Sequence, residues 1–168
     1  YLINAVKPEN KHLEKKSVAE IAKIRNQEII DAFLDLSLEE GLDTEFQTSS
    51  TNGDERAVAE IIRSPYVLVG QSDAGAHLIY DAGFGYATRL LGYWVREKQI
   101  MTVEEAVRKL TFMVASIFGL RDRGLLRRGM AADVCVFDPA TVRECDAEMV
   151  QDLPGNEKRY IQKAVGIE

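Results

Sequence analysis

Histidine and cysteine are scarce: two of each, His12, His77, Cys135 and Cys145, in 168 residues. Neither cysteine has a partner at the C-x-x-C spacing, which speaks against a structural zinc knuckle. The cysteines stand ten positions apart, and no charged-then-apolar leader opens the chain. Both features lead to the expectation of reduced thiols in a cytoplasmic protein rather than a disulfide framework. No apolar run approaches the roughly 20 residues of a membrane span. Positive charge is not in excess either: 21 Lys+Arg against 27 Asp+Glu give a net charge of −6. That balance argues against a nucleic-acid or anionic-membrane partner, because both select clustered cations. The chain opens at Tyr1 without an initiator Met and closes on an apolar stretch at Glu168. Both ends are expected to be cut from something longer.

What remains is ordinary globular material, 46% apolar and 29% charged. A chain of this length buries about 70% of the surface its unfolded form exposes, enough for a core. Residues 1–6 are apolar and β-branched and read as a strand. Ser17-Val18-Ala19-Glu20 has the form of a capping box, the hydroxyl and the carboxylate each closing a free N–H of the first turn. Val18, Ile21, Ala22 and Ile24, then Ile29, Ile30, Phe33 and Leu34, continue as a helical stripe broken near Arg25-Asn26 and stopped at Gly41. Residues 48–53 form a polar turn tract. Asp54 can cap a short helix bearing Val58, Ile61 and Ile62, ended by Ser64-Pro65. Tyr66-Val67-Leu68-Val69-Gly70 is continuously apolar, as a strand buried on both faces would be. Two helices follow. One spans 86–98 with Leu90, Leu91, Trp94 and Val95; the other starts at a second capping box, Thr102-Val103-Glu104-Glu105, with Ala106, Val107, Leu110 and Val114 inside. The tail is turn-rich, with a short strand at 132–137 ended by Asp138-Pro139. This order predicts an α/β unit handing over to a small β element.

Gln71-Ser72-Asp73-Ala74-Gly75-Ala76-His77 follows the apolar run directly. Small residues let the chain turn sharply there and leave a carboxylate at the strand's C-terminal end, where α/β barrels place functional groups. A carboxylate so placed can bind a metal or take a proton from water. Ser-Asp-Ala-Gly is equally good turn chemistry, so both readings of Asp73 stand. His77 can orient a substrate or polarise a carbonyl, or can simply be a loop histidine. His12 sits among lysines and reads as a solvated surface residue. Gly83-Phe84-Gly85-Tyr86 lacks the strand–turn–helix context of a dinucleotide site. Arg121, Arg123, Arg127 and Arg128 read as turn charge, and Cys135 as a small buried hydrophobe.

Gly70 through His77 resembles the end of the eighth barrel strand in metal-dependent amidohydrolases. Within that superfamily it is most similar to the D-aminoacylase (N-acyl-D-amino-acid deacylase) group, which carries Ser-Asp followed shortly by His. Leu110-Thr111 to Ala115, Phe118-Gly119-Leu120, Arg123-Gly124 and the segment 129–139 resemble the superfamily's C-terminal signature. Leu153-Pro154-Gly155 and Val165-Gly166-Ile167 are similar to its closing part. The resemblance implies an α/β fold: the C-terminal part of a TIM barrel over 1–118, its last strand and helices, then the start of a small β-sandwich domain over 119–168. It implies zinc as cofactor, Asp73 as catalytic base and metal ligand, and His77 and Ser72 beside the substrate. The superfamily's His-x-His and its other metal histidines have no counterpart here. The loop 78–84 also lacks the arginine that grips the substrate carboxylate in D-aminoacylases, the next arginine being Arg89.

The expected function is therefore that of a C-terminal fragment of a zinc amidohydrolase cleaving the C–N bond of a small-molecule amide, an N-acyl-D-amino acid. The fragment alone is expected to be inactive and not to retain the zinc. Two alternatives accompany this reading. One is a cyclic-amide hydrolase of hydantoinase or dihydropyrimidinase type. The other is a non-catalytic fragment whose exposed strand edges pair it into a homo-oligomer.

Overall fold

The computed structural model describes residues 1–48, 52–80 and 83–168. Part of the polar tract at 48–53, and Asp81 and Ala82 of the arginine-free loop, lie outside the described residues. The chain forms two compact units, 1–54 and 55–168.

In the first unit, β1 (Leu2–Asn4) pairs antiparallel with β2 (Glu45–Phe46), Leu2 opposite Phe46. α1 (Val18–Arg25) begins with both halves of the capping box. Ser17 Oγ accepts the Glu20 N–H at 3.2 Å, and the Glu20 carboxylate accepts the Ser17 N–H at 2.8 Å. Asn26, at φ 51°, closes α1 in the left-handed conformation that a short polar side chain tolerates. α2 (Ile29–Glu39) restarts after it. The restart shifts the helical phase, so the stripe expected through Ile29, Ile30, Phe33 and Leu34 is not the buried face. Ala32 and Leu36 are buried instead, and Ile30 is 62% exposed. The core of this unit is Leu2, Ala5, Leu13, Ile21 and Leu36 with Phe46 against it.

The second unit opens with α3 (Glu55–Arg63), ended as expected at Ser64-Pro65. The apolar run 66–70 does not form the expected barrel strand. A ladder strand needs a neighbour, and none lies beside it among the described residues; Tyr66 is 92% exposed. α4 (Tyr86–Arg89) continues into a π-helical stretch, Leu90–Glu97. α5 (Val103–Arg108) starts where Thr102 Oγ1 accepts the Glu105 N–H at 3.2 Å. It passes through a second π-helical stretch, Lys109–Met113, into α6 (Val114–Ile117). Leu90, Leu91, Trp94, Val95, Ala106 and Val142 make the core, with Val107 and Leu110 packed on it. The wider turn from Lys109 alters the inner face, burying Lys109 and Met113 where Val114 was expected.

β3 (Arg143–Leu153) and β4 (Glu157–Val165) form an antiparallel hairpin, turned at Gly155 with φ 77°. The strand expected at 132–137 reduces to one antiparallel bridge, Phe137 opposite Ile167. Asp138-Pro139 ends the pairing, where the chain turns into Val142. Helices and small antiparallel sheets are thus what the described residues contain, and their sheets hold no parallel pair. Among them, no helix is long and apolar enough to cross a membrane.

Candidate functional site

Asp73 lies in a turn built by its neighbours. Ser72 Oγ accepts the Ala74 N–H at 3.3 Å, and the Asp73 carbonyl accepts the Ala76 N–H at 3.1 Å. Gly75 supplies the positive φ of 89° that closes the turn, with the Phe84 ring 3.8 Å from where a Cβ would stand. Ser72 is half-buried, whereas Asp73 and His77 are exposed. The His77 ring meets Tyr80 edge-on at 5.9 Å. The three residues named from sequence therefore share one turn. Ser72 shapes it and the Asp73 carboxylate stands free of hydrogen bonds and ion pairs among the described residues.

The segment entering this turn is held by two helices. Tyr86 Oη donates to the Gly70 carbonyl at 3.3 Å, and Val114 approaches the missing Cβ of Gly70 to 3.4 Å. Lys109 is fully buried, and its Nζ donates to the carbonyls of Ser64 at 2.6 Å and Val67 at 3.1 Å. Burial lowers the pKa of this ammonium, partly opposed by Glu105 one turn back, while Arg108 adds to the lowering. Lys109 is a functional candidate with little mark in the sequence. Its only signal is a lysine lying between Val107, Leu110 and Met113 on an otherwise apolar face.

Elsewhere Arg89 and Arg123 are engaged, whereas Arg121, Arg127 and Arg128 are exposed. Arg89, the first arginine after the motif, pairs with Glu144 at 2.7 Å and stacks over Tyr93 at 4.6 Å. Arg123 pairs with Asp133. His12 is exposed, with Nδ1 2.7 Å from the Glu9 carbonyl oxygen. Cys135 is exposed rather than buried, because the strand meant to cover it reduces to the bridge at Phe137. A cavity of about 290 Å³ lies between Leu91, Val95, Arg96, Phe137, Pro139 and Val142, away from the Asp73 turn. No group of three or more His, Cys, Asp or Glu that could hold a metal ion occurs among the described residues. Zinc therefore does not fit a donor set made by these residues alone.

The family model described as "Amidohydrolase family" matches residues 11–154, which include the whole Asp73 turn and both helical rods, 86–97 and 103–117. The chain belongs to the amidohydrolase family. Among its relatives, the N-acyl-D-glutamate deacylase of Alcaligenes xylosoxydans xylosoxydans is 43% identical over 97 residues, covering 55% of this chain and 19% of that protein. The N-acyl-D-aspartate deacylase of the same organism is 36% identical over 95 residues, covering 54% and 18%. This amidohydrolase chain thus spans about a fifth of the length of the curated relatives it matches. A solved N-acyl-D-glutamate deacylase from Bordetella bronchiseptica, complexed with zinc and a phosphonate inhibitor, is 26% identical with a TM-score of 0.47, covering 82% of this chain and 27% of its own.

Proposed function

We propose that the protein carrying this chain is a zinc-dependent hydrolase of small-molecule amides, an N-acyl-D-amino-acid deacylase. Asp73 is its catalytic base and a metal ligand, with His77 and Ser72 beside the substrate. The observation that carries this reading is the family match over 11–154 with the Ser72-Asp73-…-His77 turn inside it. In the whole protein, residues 66–70 gain strand neighbours on both sides as part of a barrel, which suits their unbroken apolar character. Residues 119–168 then begin the small β domain. The zinc is assigned to the whole protein, since this chain's own described residues lack a donor set. The chain by itself is inactive.

Within the reaction, a carboxylate is suited to accept the proton of the attacking water and return it to the leaving amine. Asp73 is exposed and unpaired among the described residues, so its oxygens are available for that transfer. Ser72 Oγ is committed to the turn through the Ala74 N–H and orients the backbone that presents Asp73. One observation favours a second substrate class. Arg89 is occupied by Glu144 and Tyr93, so the arginine nearest in sequence after the motif is not free to grip a substrate carboxylate. A cyclic amide, such as a hydantoin, needs no such grip.

The test is Asp73→Asn in the whole protein, assayed on N-acyl-D-glutamate, N-acyl-D-aspartate, a neutral N-acyl-D-amino acid and a hydantoin. Loss of hydrolysis with an unchanged circular dichroism spectrum is expected, because the carboxylate makes no bond within the described fold, and any fall in melting temperature is expected to track the zinc lost with this ligand. Full activity of a folded Asn variant overturns the assignment of Asp73. Turnover of the hydantoin in place of the acyl-amino acids selects the second substrate class.

A further inference from the structure

We propose that Lys109 is a positioning residue for the site, its ammonium fixing the segment 64–70 and through it the place of the Asp73 carboxylate. This rests on the reading of Asp73 as catalytic base. A buried ammonium is costly unless its donors are matched, and an apolar side chain at this inner helical position would pack without that cost. Lys109 is wholly buried all the same, and both its bonds go to main-chain carbonyls of one segment. Among the described residues no sheet ladder holds that segment, so any ladder it has in the whole protein comes from outside them, and the Lys109 bonds are a tie that this chain makes itself. The segment's other fixings include the turn bonds from Val67 N–H to the Ser64 carbonyl and from Tyr66 N–H to Ser64 Oγ, both at 3.3 Å, the Tyr86 hydroxyl on Gly70, Val114 against Gly70, and Val69 packed on the core. Lys109 therefore ties the beginning of the run to the same helical rod whose Val114 meets its end, three residues before Asp73. Lys109 stands three positions after the wholly buried Ala106 and so on the same helical face, which turns its side chain inward to make the tie.

The experiment uses the whole protein, with Lys109→Met, Lys109→Arg and Asp73→Asn made side by side. Methionine keeps the buried stem and removes the donors; arginine keeps a cation. Three quantities are read: kcat and KM on the preferred substrate, the melting temperature, and hydrogen exchange over 64–73 and over 103–117. Misplacement of a reacting group costs roughly 10–100-fold, so Lys109→Met is expected to lower kcat by about that factor with KM within about threefold. Exchange is expected to rise over 64–73 and stay low over 103–117, and Lys109→Arg to recover part of kcat. If Lys109→Met yields too little folded protein, Lys109→Leu, which also removes the donors, is read against the same outcomes. With Asp73→Asn inactive, a Lys109→Met enzyme within twofold of the parent kcat, or unchanged exchange over 64–73, overturns the inference alone. Activity retained in Asp73→Asn overturns the assignment of the base, and this inference with it.

Discussion

The carbonyl oxygen of Val142 lies 2.5 Å from where a Cβ on Gly92 would stand. Arg143 Cα is 3.2 Å from the same point, and Arg96 Nη1 donates to that carbonyl at 2.7 Å. The obstruction is main chain, so it cannot swing aside as a side-chain tip would. Gly92→Ala thus sets two effects against each other. Alanine is favoured over glycine in a helix by about 1 kcal/mol. Overpacking of a closed core costs roughly 1–3 kcal/mol. Steric cost is expected to win, giving a lower urea midpoint for the variant. A stabilised Gly92→Ala protein would show that the rod and the Val142 turn do not approach this closely.

Glu40 is buried and serves as an acceptor for the start of the chain. It takes the Asn10 side-chain amide at 2.6 Å, the Lys7 N–H at 3.0 Å and the Val6 N–H. Burial pushes its pKa up, but the bonds from Asn10, Lys7 and Val6 outweigh that and hold it below the ordinary glutamate value. A carboxyl depressed by folding contributes stability above its unfolded pKa and loses it as the pH falls through the folded one. Glu40→Gln is therefore expected to be less stable than the parent near neutral pH, with the gap closing in acid. Urea unfolding of both proteins across that range checks it; a gap constant with pH would contradict the role given to the carboxylate.

Ile21 and Leu36 are both wholly buried in the first unit. Truncating either to Ala leaves a cavity and should cost about 2–5 kcal/mol. Exposed Ile30 provides the control, since its truncation removes little packing and should shift the unfolding midpoint far less. Equal losses at Leu36 and Ile30 would mean that α2 buries the face expected from its periodicity after all.

These contrasts show which parts of the fold were legible in the sequence. The helices were, because capping residues and apolar spacing at Ser17 and Thr102 act within a single turn. Asn26 was readable as a break but not as a change of phase, so the buried face of α2 was missed. In β3 the apolar Cys145, Ala147, Met149 and Leu153 alternate with Glu144, Asp146, Glu148 and Asp152, a pattern that was legible only as part of a small β element because few of its apolar side chains are β-branched or aromatic. Ion pairs across the hairpin, Asp152–Arg159 and Glu148–Lys163, add to it. Residues 66–70 failed in the opposite way, since an apolar run promises a strand only where neighbours exist to complete the ladder. At the site, the turn was legible from the small residues and the Ser-Asp-Ala-Gly sequence, the side chain that shapes it being Ser72. Lys109 was not, because its role depends on carbonyls more than forty positions away.

Metal content tests the division of labour between this polypeptide and the whole protein. A zinc site needs its nitrogen, sulfur or oxygen ligands converging on one point. Asp73 and His77 share one exposed turn. Cys135 is exposed and Cys145 half-buried, and the described residues nowhere gather three such groups. Two groups on one turn can bind zinc only weakly, because an unsatisfied coordination sphere is completed by water. The polypeptide of this sequence, purified without chelator and dialysed, is therefore expected to carry far less than one zinc per chain by elemental analysis. The whole protein, treated alike, is expected to carry at least one, and Asp73→Asn in it to lower that content if the carboxylate is a ligand as well as a base. Stoichiometric zinc on the isolated polypeptide would instead mean that its own side chains come together in solution as they do not here, and the ligand set would have to be sought within it.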